Sequence, residues 1–521
     1  MRFQITLRSL GGAWLAVAGV LGLLHAPSSL AQADAPATSQ LWGEEGELWS
    51  PVGRLPDFSY AGYHRGERSL PDREAETSVK DYGAVGDGET DDTAAFQRAL
   101  SQAAGKVIAI PPGRYLITDI LEIRDSGTVL QGAGPQQTTI FAPIPLEKIR
   151  PNMGATTSGK ATSNYSWSGG IVWAKGRPSS KVLAKVTKTA HRGDTQLHVD
   201  RPESFGVGDI VRLRLADDPT HSLIEHLYDN DPGNYSKLRG KCKNVTFAAT
   251  VLEVDPAQQT ITLDRSLRTD ADIKWDPTLL EDASSVEEVG IENLTFEFPV
   301  SDYAGHFSEL GHNAIAYSGV QNSWVRNVTV HNADSGMFIS GSNNTLQGIT
   351  IISDRGRHPT RNSTGHHGIT LGGTDLLLTD FDFRTKFIHD ITMTHGSAGN
   401  VVANGRGEDL CFDHHKYANH ANLFTDIDVG AGSNIFHSGG GANLGRHCGA
   451  WTTWWNLRSD RPIVSPADWA PEMINFVGVP GTGTELTMLS GRWFEPIPPE
   501  QLTPQDLYRA QLAKRREAER R

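Results

Sequence analysis

The strongest constraint on this chain is a strand-and-turn unit that recurs imperfectly along its C-terminal half. Val289-Gly290-Ile291-Glu292-Asn293-Leu294-Thr295-Phe296 resembles Trp324-Val325-Arg326-Asn327-Val328-Thr329-Val330. Gly348-Ile349-Thr350-Ile351, His389-Asp390-Ile391-Thr392-Met393 and Thr425-Asp426-Ile427-Asp428-Val429 echo the same unit. One strand plus a turn, repeated, predicts a solenoid in which each coil buries its inward side chains on the next and only the ends need caps. Asn322, Asn343 and Asn344 fall where turns are expected, and their amides there serve the backbone at coil corners. The 54 glycines and 27 prolines punctuate short β-branched runs, and long amphipathic helical patterns are nearly absent.

Residues 78–140 predict how the solenoid begins. A strand from Ser78 runs into the Gly-rich turn Gly83 to Gly88, and Thr90-Asp91-Asp92-Thr93 supplies helix N-cap chemistry. The spacing predicts one short helix over Ala94 to Ala104, with Ala95, Phe96, Ala99 and Leu100 on one face. Val107 to Ile110, Tyr115 to Ile117, Leu121 to Ile123 and Thr128 to Leu130 read as short strands, separated by Pro111-Pro112-Gly113 and followed by Gly132-Ala133-Gly134.

This ordered series, from Val79 to Ile140, resembles the opening coil and capping helix of the pectin-lyase-like superfamily. It is similar in style to the pectate-lyase and rhamnogalacturonase/epimerase-like domains. The resemblance implies an all-β fold, a right-handed parallel β-helix with an N-terminal capping helix. It does not choose an activity, because the opening recurs in lyases, hydrolases, epimerases and phage tailspikes.

The rest of the chain divides by pattern. Residues 1–33 read as a secretory signal: Arg2 and Arg8 precede the apolar run Ala13 to Leu24, and Ala31-Gln32-Ala33 offers a cleavage site. Such a leader predicts a secreted or periplasmic protein, cleaved near Ala33. Residues 34–75, rich in proline and aromatics, predict a segment that wraps the body. Residues 76–180 form the first β-helix part. Residues 181–275 alternate as antiparallel strands do and predict a small inserted module, whose polar loop from Asp217 to Asn244 is long enough to overhang a binding face. The main β-helix is expected over 276–498. Residues 499–521 predict a basic C-terminal helix, starting after the cap Thr503 and running from Gln505, with Lys514, Arg515, Arg516, Arg520 and Arg521 solvated.

The net charge of -13 argues against nucleic acid as a partner, since phosphate binding needs a basic surface. No later segment predicts a membrane span. Cys242, Cys411 and Cys448 are too few for a disulfide framework; a Cys411–Cys448 bridge and free buried thiols are both open.

Chemistry-bearing residues concentrate in 351–450, which holds ten of the nineteen histidines. Stacked coils bring residues distant in sequence into one groove, the geometry a linear polysaccharide needs. Within Gly407-Glu408-Asp409-Leu410-Cys411-Phe412-Asp413-His414-His415, the last three residues resemble the Asp-Pro-His element of alginate C5-epimerases. Asp413 and His415 fall on the family's aspartate and histidine. His414 replaces the proline, and Leu410 stands where the family has tyrosine.

Elimination and epimerisation both begin by removing the proton beside a uronate carboxylate, whose charge must be neutralised. His414 and His415 are candidate bases, with Asp413 and Asp409 among the catalytic carboxylates. Lys386, Arg406, Arg355 and Arg446 are candidate neutralisers, or calcium in their place. His366, His367 and Trp454 are candidate substrate contacts, and Tyr417 is a further proton-transfer candidate. Trp451 and Trp455 offer sugar-stacking faces besides Trp454. Three roles are open to Asp413-His414-His415: catalysis, a hydrogen-bonded structural turn, or a metal site with His420 or Asp409.

The preferred expectation is a polysaccharide lyase acting on an acidic polysaccharide. A hydrolase would use Asp334 and Asp354 as its two acids, on a loose likeness to polygalacturonases of Asn332 to Gly336 and Gly365 to Gly368. A C5-epimerase and a non-catalytic glycan-binding β-helix are the remaining alternatives.

Overall fold

The computed structural model describes residues 36–464, 466, 468–481 and 491–520. The leader expected over residues 1–33 lies outside them. From Pro36 onward the chain forms one compact unit, and its architecture is a right-handed parallel β-helix. Among the described residues, no helix is long and apolar enough to cross a membrane.

Two parallel sheets make the walls of the coil. The larger runs from Thr77–Ser78 through Gly290–Glu297, Trp324–His331, Thr345–Ile352, Leu377–Phe383, Val401–Gly407, Leu423–Asp428 and Thr453–Arg458 to Trp493–Glu495. Its long strands are bent. The first half of Gly290–Glu297 pairs with Val129–Gly132 and the second half with Thr138–Phe141, so one sheet supplies two faces. The third face is a seven-stranded parallel sheet from Leu121–Ile123, through Val172–Lys175, Asn313–Gln321, Ser335–Ser342, Gly365–Leu371 and Phe387–Met393, to Phe412–His414. His389 to Met393 therefore belongs to this third face, not to the one that carries the other repeats.

The bend is encoded residue by residue. Asn293, Asn327, Gly348, Asp380, Asn404, Asp426, Asn456 and Gly478 occupy one register position in successive coils. All adopt positive φ, between 48° and 69°. Only Gly, Asn and Asp enter this left-handed region at small cost, and the column contains nothing else. Asn327 Nδ2 donates to Asn293 Oδ1 at 2.8 Å, so the amides also pair between coils. A second corner, at Asn322 and Asn343, repeats the device, and buried Asn344 accepts from the Ser323 N–H and donates to the Val320 carbonyl.

Inward columns fill the core. Ile291, Val325, Leu346, Leu378, Val402, Phe424, Trp454 and Phe476 stand in register and are fully buried. The capping helix, Thr93–Gln102, closes the N-terminal end with Ala95, Phe96, Ala99 and Leu100 against the core. Trp42, Leu55 and Phe58 of the N-terminal segment and Leu507 and Tyr508 of the C-terminal helix cover the outer side of Leu377, Val401 and Leu423. Strand Ala37–Thr38 pairs with Leu502–Thr503, tying the two ends of this cover together.

Three expectations change. The C-terminal helix is Leu507–Arg520, and three of its basic residues, Lys514, Arg515 and Arg516, are engaged rather than solvated. Arg515 bonds Glu67 and the carbonyls of Ser59 and Arg65, Lys514 the carbonyl of Glu45, and Arg516 the carbonyl of Gly66. The inserted antiparallel sheet extends to Thr278–Glu281, beyond residue 275, because this strand completes the pairing of Ile210–Leu215. All three cysteines are free and buried, so no Cys411–Cys448 bridge forms.

The module is anchored by charge. Arg265 and Arg268 both bond the Asp375 carboxylate at the second corner, and all three side chains are buried. Removing one partner strands buried charge, so Asp375→Ala should cost about 3–5 kcal/mol in urea unfolding. Asn327→Val should cost about 1–2 kcal/mol through its left-handed φ, while Asn327→Gly stays within about 0.5 kcal/mol. Equal effects of Val and Gly at position 327 would show that the corner does not depend on backbone conformation.

Candidate functional site

The outward face of the seven-stranded sheet carries a cleft of about 770 Å³. One register column forms its floor: Trp173, Ala316, Phe338, Thr370 and Thr392 stand side by side and end at Asp413. Because side chains alternate along a strand, Asp413 and His415 share this outward face while His414 points the opposite way. His414 sits in the inward column after Tyr317, Ile339, Leu371 and Met393. It is fully buried among Phe424, Trp454 and Trp469, and burial lowers its pKa to about 4. The expectation that His414 is a base is thereby corrected: its ring faces the core.

Asp413 and His415 form a hydrogen-bonded pair. Asp413 is fully buried, and its Oδ2 lies 2.8 Å from His415 Nδ1 and 3.2 Å from Thr392 Oγ1. Its Oδ1 accepts from the Gly439 N–H at 2.7 Å. A Cβ on Gly439 would lie 2.7 Å from His415 Cε1, so this approach requires glycine. Burial alone would depress His415; the Asp413 carboxylate outweighs it and holds the imidazole above its ordinary value. Burial alone would likewise raise Asp413, but His389 and His415 hold it well below the usual carboxylate range. With Nδ1 committed to Asp413, His415 has Nε2 left for proton transfer, and its ring lines the cleft.

Other histidines crowd round this pair. His306, His366, His367, His389 and His395 also line the cleft. The rings of His366 and His367 are 4.0 Å apart, His306 and His366 4.5 Å, and His389 and His415 6.0 Å. Burial, reinforced by neighbouring positive charge, lowers His306 to about 3; it takes His366 and His367 well below their ordinary values. His389, where burial outweighs the pull of Asp413, falls to about 4. These rings are neutral near pH 7. Tyr417 lines the same wall at a positive φ of 59° and stacks on His395. Apolar faces come from Trp167, Trp173, Phe307 and Phe338. None of the described residues lining the cleft is Asp, Glu, Lys or Arg.

The walls are braced from outside. Tyr228, on the loop of the inserted module, accepts from the Ala418 N–H and donates to the Arg446 carbonyl, fixing the segment after His415. On the opposite side Thr157 meets Gly441 closely.

The remaining expected site residues stand elsewhere. Arg406 pairs with Asp382 at 2.8 Å on the outer side of the larger sheet. Lys386 and Asp409 bond each other, with Ser433 completing the Asp409 contacts, and neither lines the cleft. Arg355 is buried against Asp334 at 3.0 Å, and Asp334 also accepts the N–H groups of Gly311 and His312. Both are spent on holding the 303–312 loop. Arg446 joins Asp231 at 2.6 Å. Asp354 faces solvent beside His331. Asp334 and Asp354 therefore do not flank the cleft as a pair of acids. Trp454 and Trp455 are fully buried and Trp451 nearly so, which removes them as sugar platforms. His306, His389 and the aromatic set from Trp167 to Phe338 take their places. His306 lies outside the histidine-rich window, and no sequence signal joined it to the others.

Residues 77–165 match the family described as rhamnogalacturonase A/epimerase, pectate lyase-like. The fold and this match make the chain a right-handed β-helix protein of the pectin-lyase-like superfamily. It is 49% identical over 71 residues to a pre-neck appendage protein of Bacillus phage B103, across 13% of this chain and 8% of that one. It is 34% identical over 100 residues to a mannuronan C5-epimerase of Azotobacter vinelandii, across 18% and 5% of the two chains. An alginate lyase of the same organism is 31% identical over 99 residues, across 17% and 12%. The matches thus span small parts of these relatives. Among solved structures, a tailspike protein of Pseudomonas phage LKA1 superposes with a TM-score of 0.46 at 13% identity, across 77% of this chain and 63% of that one.

Asp413→Asn removes the charge that raises His415. The His415 imidazole pKa, followed by NMR titration, should fall in this variant. An unchanged titration would show that the pair is not electrostatically coupled.

Proposed function

We propose that this protein acts on an acidic polysaccharide by removing the proton beside a uronate carboxylate, with His415 as the base and β-elimination as the outcome. The carrying observation is the Asp413–His415 pair, buried on its aspartate side and turned to the cleft on its histidine side. The charged Asp413 orients the ring and stabilises the imidazolium formed when His415 takes the proton. Tyr417, which lines the same wall, is the proposed donor of a proton to the leaving oxygen. Trp173, Phe307 and Trp167 give flat apolar faces for sugar rings.

The cleft favours this chemistry over hydrolysis. Glycoside hydrolysis by acid and base needs two carboxyl groups across the bond, and the wall offers none among its described residues. The partial likenesses to a mannuronan C5-epimerase and an alginate lyase support a uronate polymer as substrate. Epimerisation shares the first step and differs in whether the proton returns to the sugar or the glycosidic bond breaks.

The test is a panel of polyuronates followed at once for ultraviolet absorbance and for reducing ends. Both signals should rise together, and His415→Ala should lower kcat/KM by about 10²–10⁴-fold with its circular dichroism unchanged. As pH falls through the raised pKa of His415, the base is protonated and the rate drops; Asp413→Asn moves that limb to lower pH. Reducing ends without absorbance would establish hydrolysis and overturn the proposal. Proton exchange at C5 without either signal would establish epimerisation, and silence with retained glycan binding a non-catalytic role.

A further inference from the structure

A uronate carboxylate has to be neutralised before its neighbouring proton can leave; Lys160 and Arg361 stand near His306 at the margin, but none of the described residues lining the cleft is arginine or lysine. What the cleft presents in their place is a set of histidines. Neutral imidazoles are poor neutralisers and good metal ligands, since a metal takes the unprotonated ring.

Three of them converge. His306, His366 and His389 each offer a ring nitrogen, and these atoms all lie within 4.8 Å of one another. Zinc–imidazole bonds of about 2.0–2.1 Å put tetrahedral ligand nitrogens roughly 3.4 Å apart, within reach of small ring rotations. The buried Nδ1 atoms of His366 and His389 have no hydrogen-bond partner. Each nevertheless faces a carboxylate. Glu309 Oε1 lies 3.6 Å from His366 Nδ1, and Asp413 Oδ2 lies 3.6 Å from His389 Nδ1. A carboxylate behind the far nitrogen is how metal-binding imidazoles are oriented and made more basic. A Cβ built on Gly439 would lie 3.2 Å from His389 Nε2, so this nitrogen stands beside the glycine. His306 sits on a loop and is half-buried, its ring stacked on Phe307.

We propose that His306, His366 and His389 form a binding site for a divalent transition cation of the zinc class, with an open position toward the cleft. This rests on reading the cleft as the working site, and it deepens that reading by naming what meets the substrate's carboxylate. Three protein ligands with a vacant fourth position are the pattern of zinc sites that act as Lewis acids. Calcium, considered from the sequence, takes six to eight oxygen ligands; a nitrogen trio selects against it. The site shares Asp413 with the catalytic pair, so one carboxylate braces both the base and a metal ligand.

The test uses the tag-free full chain, stripped with a chelator and dialysed against zinc chloride, with calcium chloride as the parallel arm. Elemental analysis and titration calorimetry should find one zinc per chain and no comparable uptake of calcium. Cobalt(II) in place of zinc should give the visible absorption of a tetrahedral nitrogen site. His306→Ala, on the loop, and His389→Gln should each weaken zinc binding by about 100-fold or more while thermal unfolding of the metal-free variants stays cooperative. His395→Ala, a cleft histidine outside the trio, should bind as the parent does. No saturable uptake, uptake unaffected by the trio substitutions, or calcium bound as tightly as zinc would each overturn the proposal. Because uptake is measured without polysaccharide, the two readings fail separately. Zinc uptake with no turnover on any polyuronate would leave the metal site and remove the elimination. Full turnover by stripped, metal-free protein would do the reverse.

Discussion

Everything in this molecule depends on strands held in strict register by a column of left-handed corners. A coil can stack on the next only if its bend falls at the same residue each time. The Asn327-type position achieves this with Asn, Asp or Gly in eight successive coils. A β-branched residue there costs on the order of 1–2 kcal/mol, and a displaced corner would shift every inward side chain of that strand to the outside. Hydrogen bonds between neighbouring corner side chains, as from Asn327 to Asn293, oppose such slippage.

Register is also what builds the cleft. The column from Trp173 to Asp413 contains residues 240 positions apart, one from each of six stacked strands. They line one floor because each is the same step in its coil. Loops may then vary freely above this floor. The 303–312 loop brings His306 and Phe307, fixed beneath by Arg355 and Asp334. The segment after Phe436 brings Gly439, and the inserted module braces that side through Tyr228. The module thus acts as a buttress of the cleft wall, held to the coil by the buried Asp375 pairs.

How much of this could be read in the sequence follows from the same logic. The coil repeat and the capping helix were legible because both are local patterns: Ala95, Phe96, Ala99 and Leu100 are buried as their spacing predicts. Asp413 and His415 stood out through residue type and a short resemblance. His414 carries the residue type of a base, but residue type does not show which way a side chain points. On a strand, adjacent residues must face opposite sides, which sends His414 to the core. Trp454 was misplaced for a related reason: nothing local shows that it continues the column of Val402 and Phe424. Arg355, Arg406, Lys386 and Arg446 were legible as charges but not as ion pairs, since their partners Asp334, Asp382, Asp409 and Asp231 are set by coil stacking and by the inserted module. His306 was invisible because its loop reaches the site from sixty residues before its nearest partner.

The charge pattern of the cleft completes the physical picture. A chain of net charge -13 does not draw a polyanion by its overall field. What attraction exists is local: Lys160 lies over the Phe307 ring, and Lys160 and Arg361 both bear on His306. Inside, fixed charge gives way to aromatic faces and neutral imidazoles, with the Asp413 and Glu309 carboxylates buried behind His415 and His366. On the proposed reading, a sugar chain lying along such a floor meets no fixed positive charge before its carboxylate reaches the histidines. There the low dielectric that keeps the imidazoles neutral also strengthens any charge placed among them. On that reading, a polyanion is held loosely along this floor, and a tight point needs a positive charge among the histidines, because neutral rings do not offset a buried carboxylate.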